Sequence, residues 1–204
     1  MKLYYAPGTI AVAVAITLDE AGLDYTPHRL DFRAGEQHGA AYLKVNPKGR
    51  VPALATDRGV LTETGAILDH IAALAPQAGL VPDDAFDAAR MREAMYYLAA
   101  TMHVNHAHRP RGDRWAERPE SLADMAAKVP QTMSESCRYV EDHVLVAPFV
   151  LGTAFSLADP YLFVISTWLE ADGVDVARFP KLGAFRDAMR TRASVQHAAS
   201  LGMI

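Results

Sequence analysis

Along the first 75 residues the hydrophobic positions switch repeatedly between alternation and helical spacing. KLYY (Lys2 to Tyr5) suits a short strand that halts at Pro7-Gly8, and IAVAVAITLDEAG then runs as a helix to Gly22, a natural helix-ending residue. DYTPHRLDF alternates as a second strand, and AAYLKVN is a short helical stretch ending before Pro47. VPALAT and GVLTE flank Asp57-Arg58-Gly59, the composition of a tight hairpin. In TGAILDHIAALA, Ile67, Leu68, Ile71, Leu74 and Ala75 share one helix face. Strand, helix, strand, short helix, hairpin, helix predicts a mixed sheet covered by helices.

The stretch PQAGLVPDDA (Pro76 to Ala85) has the composition of a linker, and beyond it only helical spacing remains. Five long segments follow, and Pro130 is expected to kink or divide one of them. The expected organisation is an α/β domain over residues 1–77, a linker over 78–85 and an all-α domain over 86–204.

Composition narrows the function classes. Half of the 204 residues are hydrophobic, enough for a sizeable core. A net charge of -4 argues against nucleic acid as the main partner, since phosphate neutralisation needs clustered cations. Arg109, Arg111, Arg114 and Arg118 alternate with Asp113 and Glu117, so they read as a solvated segment first and an anion-attracting rim second. Cys137 is the single cysteine, which excludes an internal disulfide and fits a reducing compartment. No apolar run reaches the roughly 20 residues of a membrane span, and no leader pattern opens the chain. A cytoplasmic protein is expected.

Three places carry candidate chemistry, each with an ordinary structural reading beside it. At the opening turn, the helix N-terminus lies at the end of the first strand, where free N–H groups and the dipole favour an anion; Thr9 either caps the helix or serves a ligand. At Val51-Pro52, a cis bond would turn the Val51 N–H and C=O toward an extended peptide. At Glu63-Thr64, the carboxylate could take an α-ammonium while Thr64 and the helix amides take an α-carboxylate, or Thr64 merely caps and Glu63 complements the dipole. Together they describe a tripeptide with a free α-amino acid at one end and a thiol in the middle.

With YYAPGTIA, GLDYTPHRLDF, YLKVNPKGRVPALA, LTETGAIL and FSLADPYLF in order, the chain resembles the glutathione transferase family, closest to its bacterial beta-class members. The resemblance implies a thioredoxin-like N-terminal domain, an all-α C-terminal domain, a cytosolic homodimer, and conjugation of glutathione to electrophiles in detoxification, without a metal. It implies that Val51 and Pro52 meet the cysteinyl backbone and that Glu63 and Thr64 hold the γ-glutamyl end. Gln37, His38, Lys48 and Arg50 fall at contacts to the glycyl carboxylate, Arg50 being the better charge match. His103 aligns with a histidine facing the cleft, and His106 and Ile10 belong to the substrate pocket. His103, His106 and His108 also permit a zinc reading, which no acidic or thiol ligand supports. Ser156 and Asp159 form a capping box and are assigned to folding.

The departure is Ile10, where the beta-class pattern has cysteine; disulfide exchange loses its nucleophile, and conjugation does not need one. Lowering a thiol pKa from about 8.5 by about two units takes about 2.7 kcal/mol, within reach of a charge-assisted hydrogen bond plus a helix N-terminus. Thr9 is the leading donor, with its own amide or that of Ile10 contributing, and Tyr5 is the alternative. Isomerisation or dehalogenation with glutathione as cofactor, or a non-catalytic glutathione-binding or interaction module, are the competing functions.

Overall fold

A computed structural model describes residues 1–204. Strand β1 (Lys2–Tyr5) pairs in parallel with β2 (Thr26–Arg29) and antiparallel with β3 (Ala53–Thr56), which pairs antiparallel with β4 (Gly59–Thr62). The resulting order β2-β1-β3-β4 is the expected mixed sheet. Alternation in β1 sends Leu3 and Tyr5 to one buried face. Tyr4 takes the other, with ring centroids 4.8 Å from His28 and 5.5 Å from Tyr42.

Contacts group the chain into two units: Met1–Pro82 with Arg190–Ile204, and Asp83–Met189. In the first, α1 (Ala11–Glu20) is buried from Ala11 to Leu18, packing against β1, α3 (Thr64–Leu74) and α9 (Ala193–Ser200). The buried face of α3 is Ile67, Leu68, Ile71 and Ala72. Leu74, expected on that face, is 49 % exposed, because the helix ends there and Ala75 turns inward in its place. The short α2 (Ala40–Leu43) places Tyr42 in a cluster with Leu30 and Ala53, against which Val51 packs.

In the second unit α4 (Ala85–Tyr97) is capped by Asp84, whose carboxylate accepts from the N–H groups of Phe86 and Asp87. It passes through a π turn, Leu98–Met102, into α5 (His103–Ala107). Helix α6 (Pro119–Tyr139) runs unbroken through Pro130, contrary to the expected division; Pro130 costs one amide donor, while Met133 and Cys137 keep the helix buried beyond it. The buried α7 (Ala158–Ser166) keeps only half of the expected capping box: Asp159 reaches back to accept from the Ser156 N–H at 2.7 Å and its hydroxyl at 3.0 Å, so that hydroxyl is spent as a donor and caps no helix amide. The second Asp159 oxygen accepts from the Val150 N–H at 2.8 Å.

The segment KLGAFRDAMRTRASVQHAAS, read from periodicity as one helix, is two: α8 (Pro180–Arg190) and α9, separated at Thr191-Arg192. The break lets α9 group with the first unit. There Arg192 grips Glu20 through Nε and Nη2 at 2.7 and 2.6 Å, and His197 Nδ1 meets Asp19 at 2.8 Å. No helix is long and apolar enough to cross a membrane.

Candidate active site

The opening turn differs from its sequence reading in one respect. Thr9 does not cap α1: the N-cap position is Ile10, with no side-chain cap, and the Thr9 hydroxyl donates to the Ala6 carbonyl at 2.7 Å. The Thr9 N–H points to the same carbonyl at 3.3 Å. Strand β1 ends one residue earlier, so the Ala6 carbonyl lies outside the ladder and accepts from both Thr9 donors. In this rotamer the Thr9 oxygen offers only lone pairs, which favour a thiol over a thiolate.

The amides of Ile10 and Ala11 donate to no group of the chain, whereas those of Val12 and Ala13 bond back to Thr9 and Ile10. Ile10 and Ala11 are both buried residues, and the Ile10 N–H is the first of the two along the chain. It sits at the positive end of α1. The Tyr5 ring is buried at 6 % exposure, and its hydroxyl bonds to no other group.

The second place is a loop held by its own polar groups. Asn46, 1 % exposed, donates to the Arg50 carbonyl at 2.6 Å, and the Tyr42 hydroxyl donates to the same oxygen at 2.7 Å. Burial pushes the Tyr42 phenol up to about 12, so this donor stays protonated. Gly49 at φ +62 brings the loop against the 3₁₀ turn Glu36–His38; a Cβ there would lie 2.9 Å from His38 Nδ1. Gln37, His38, Lys48 and Arg50 are thereby gathered around one glycine. The Arg50 side chain is exposed and pairs with no carboxylate, and the Gln37 side-chain oxygen is buried without a partner. Val51-Pro52 is cis, and the Val51 N–H and C=O are unused by the sheet, which begins at Ala53.

The third place is the mouth of α3. Glu63 stands at φ 70 and ψ 118, a left-handed-side backbone unusual for a residue with a Cβ. Its carboxylate meets Lys48 Nζ at 2.5 Å, and Lys48 also donates to Thr62 Oγ1 at 2.7 Å. Thr64 is 6 % exposed; its hydroxyl and the amides of Thr64 and Gly65 have no acceptor or donor within the chain. Lys48 and Glu63, given to opposite ends of a tripeptide by the sequence reading, thus form one ion pair.

His103 and His106 lie in the other unit. His106 Nδ1 donates to the buried Asp172 carboxylate at 2.8 Å, and its ring stacks on Trp168 at 4.2 Å. His103 is 5.0 Å from the same indole, with its Nε2 3.4 Å from Arg111 Nη2. His108 turns away onto Trp115. Asp172 and Trp168 escape sequence reasoning, because nothing in local spacing ties them to a helix 66 residues earlier. No three His, Cys, Asp or Glu side chains converge as a metal would require.

A thioredoxin-like sheet that carries a helix mouth, an unpaired backbone edge and a second helix mouth defines a peptide-binding α/β unit followed by a helical one. Residues 1–73 match the glutathione S-transferase N-terminal domain. The chain is 32% identical over 203 residues to glutathione S-transferase GstA of Escherichia coli O157:H7, covering 98% of each. Two solved structures superpose along its length. One is a Sulfitobacter glutathione transferase homologue with bound glutathione, at TM-score 0.98 and 56% identity, covering 100% of this chain and 98% of that one. The other is a beta-class glutathione S-transferase of Sphingomonas chungbukensis, at TM-score 0.86 and 30% identity, covering 100% of each. The chain belongs to the glutathione S-transferase family.

Proposed function

We propose that the protein binds glutathione as co-substrate and conjugates it to small hydrophobic electrophiles by stabilising the thiolate at the opening turn. The observation that carries this reading is the unpartnered Ile10 N–H at the start of α1, in the same unit as the unused edge of Val51. In this reading Val51, preceding Pro52, pairs with the cysteinyl backbone. Thr64 and its neighbouring amides receive the γ-glutamyl carboxylate, and Glu63 its ammonium, which takes the place of Lys48. Arg50, with Gln37 and His38 beside it, meets the glycyl carboxylate, and the released Lys48 turns toward the same end.

The thiolate accepts from the Ile10 amide. Thr9 contributes only after its hydroxyl leaves Ala6, and Tyr5 is the further donor. From the helical unit, His103 polarises the electrophile and His106 lines its pocket, with Asp172 fixing the His106 tautomer. Ile10 walls the sulfur in place of a nucleophile of its own. The reading extends to a cytoplasmic homodimer acting in detoxification.

The test is glutathione binding by calorimetry with titration of the bound thiol by its thiolate absorbance, for wild type, Thr9→Ala and Thr9→Val. The expected thiol pKa in wild type lies about two units below solution. Both variants shift it by less than about half a unit, since the amide is the principal donor. A bound thiol that titrates at its solution value in wild type defeats the catalytic reading. Absence of glutathione binding defeats the Glu63 and Thr64 assignments as well.

A further inference from the structure

Helix α9 ends in a specific way. The Met203 N–H bonds to the Ala198 carbonyl at 3.0 Å, the Gly202 N–H bonds to the Ala199 carbonyl at 2.9 Å, and Gly202 stands at φ +66. This is a Schellman turn, which reverses the chain on a left-handed glycine. The reversal aims the Met203 carbonyl back at the opening turn, where it accepts the Gly8 N–H at 2.7 Å. Gly8 is itself left-handed, at φ +69, and the Met203 side chain is wholly buried.

The far end of α1 is held by the same segment. Asp19 and Glu20 sit at a helix C-terminus, where negative charge opposes the dipole. Arg192 binds Glu20 bidentately, Ser194 Oγ adds a bond to the same carboxylate at 2.5 Å, and His197 meets Asp19. One stretch, residues 192–203, therefore grips α1 at its last turn and the loop that feeds its first. Between the two grips the Ile10 amide is left unpartnered.

We propose that Gly202 and Met203 are positioning residues for the glutathione sulfur: by accepting the Gly8 N–H, the Met203 carbonyl fixes the opening turn so that the Ile10 N–H stays aimed at the sulfur. The inference rests on the glutathione reading above. It assigns a role to a turn almost two hundred residues away in sequence that touches no part of the ligand. A loose turn still binds the peptide's ends through Val51, Glu63, Thr64 and Arg50; it holds the thiolate less well.

Three full-length variants test it. Gly202→Ala adds a side chain into open space, so only the left-handed backbone is penalised and the Met203 carbonyl is displaced. Met203→Ala empties the buried anchor, and Met203→Leu refills it. Thiolate absorbance of bound glutathione reads the thiol pKa, and S-methylglutathione, which has no ionisable sulfur, reads binding at the two ends. The expected result is a thiol pKa about half a unit to one unit higher in Gly202→Ala and Met203→Ala, with recovery in Met203→Leu. S-methylglutathione affinity stays within about twofold throughout. A wild-type thiol that is lowered on binding but is equally lowered in Gly202→Ala overturns this inference alone. Equal losses of glutathione and S-methylglutathione affinity overturn it too, since the segment then shapes the unit as a whole. A wild-type thiol at its solution pKa overturns the inference together with the reading on which it rests.

Discussion

Glu63 concentrates the cost of the site in one residue. A non-glycine residue held at φ 70 is strained by about 1–3 kcal/mol, and a strained backbone persists where the surrounding structure or function requires it. Its compensation within the chain is the pair with Lys48, whose side chains are 74% and 43% exposed for Glu63 and Lys48. Such an exposed pair contributes about 0.2–1 kcal/mol at most, so it does not offset the strain. A ligand ammonium in place of Lys48 gives the strained carboxylate its use. Glu63→Gly is therefore expected to leave the thermal midpoint unchanged or a few degrees higher, because glycine adopts this backbone freely. The same substitution weakens glutathione at least about tenfold in calorimetry, the loss of a charge-assisted contact. A variant that melts well below wild type, or binds as tightly, removes Glu63 from the site.

The latch between α1 and α9 shows what periodicity can and cannot deliver. The apolar run of α1, the hairpin and the mouth of α3 were legible because each rests on local spacing or turn chemistry. The Glu20–Arg192 pair spans 172 residues, and the break at Thr191-Arg192 that permits it carries no proline or glycine. The Thr9 cap failed for a similar reason: the Ala6 carbonyl to which its hydroxyl donates is set by where β1 stops pairing, not by residue type. Burial works against ionising Glu20, yet the bonds from Arg192 and Ser194 outweigh it and hold the carboxyl below its ordinary 4.5. A carboxyl lowered on folding stabilises above its unfolded pKa, and that contribution disappears as pH falls through the folded value. The midpoint of wild type is thus expected to fall below pH 4.5, more steeply than in Glu20→Gln, which starts lower at pH 7. Parallel midpoint-against-pH curves for the two proteins, followed by circular dichroism, would show that the latch is not under load.

At the scale of the whole molecule, the chain leaves its first unit at Pro82 and returns to it at Arg190, so that unit is assembled from both ends of the sequence. Within the other lies Cys137, the one thiol the protein owns, 0 % exposed on α6. Burial pushes it up to about 12, with the Asp172 charge adding to the shift. A thiolate is the reactive form, and at pH 8 a group with that pKa is ionised in only about one molecule in ten thousand. Burial adds a second barrier, since a reagent reaches the sulfur only when the unit opens. Ile10 removes the other sulfur that the family pattern would have offered. On the proposed reading the chain therefore offers no reactive thiol of its own to a disulfide, and the nucleophile is glutathione's sulfur. Glutathione disulfide at neutral pH is expected to leave the intact mass unchanged, while an aromatic disulfide labels Cys137 only as fast as denaturant opens the helical unit. A mixed disulfide formed in native buffer, without denaturant, would place a reactive thiol where the packing of α6 denies one.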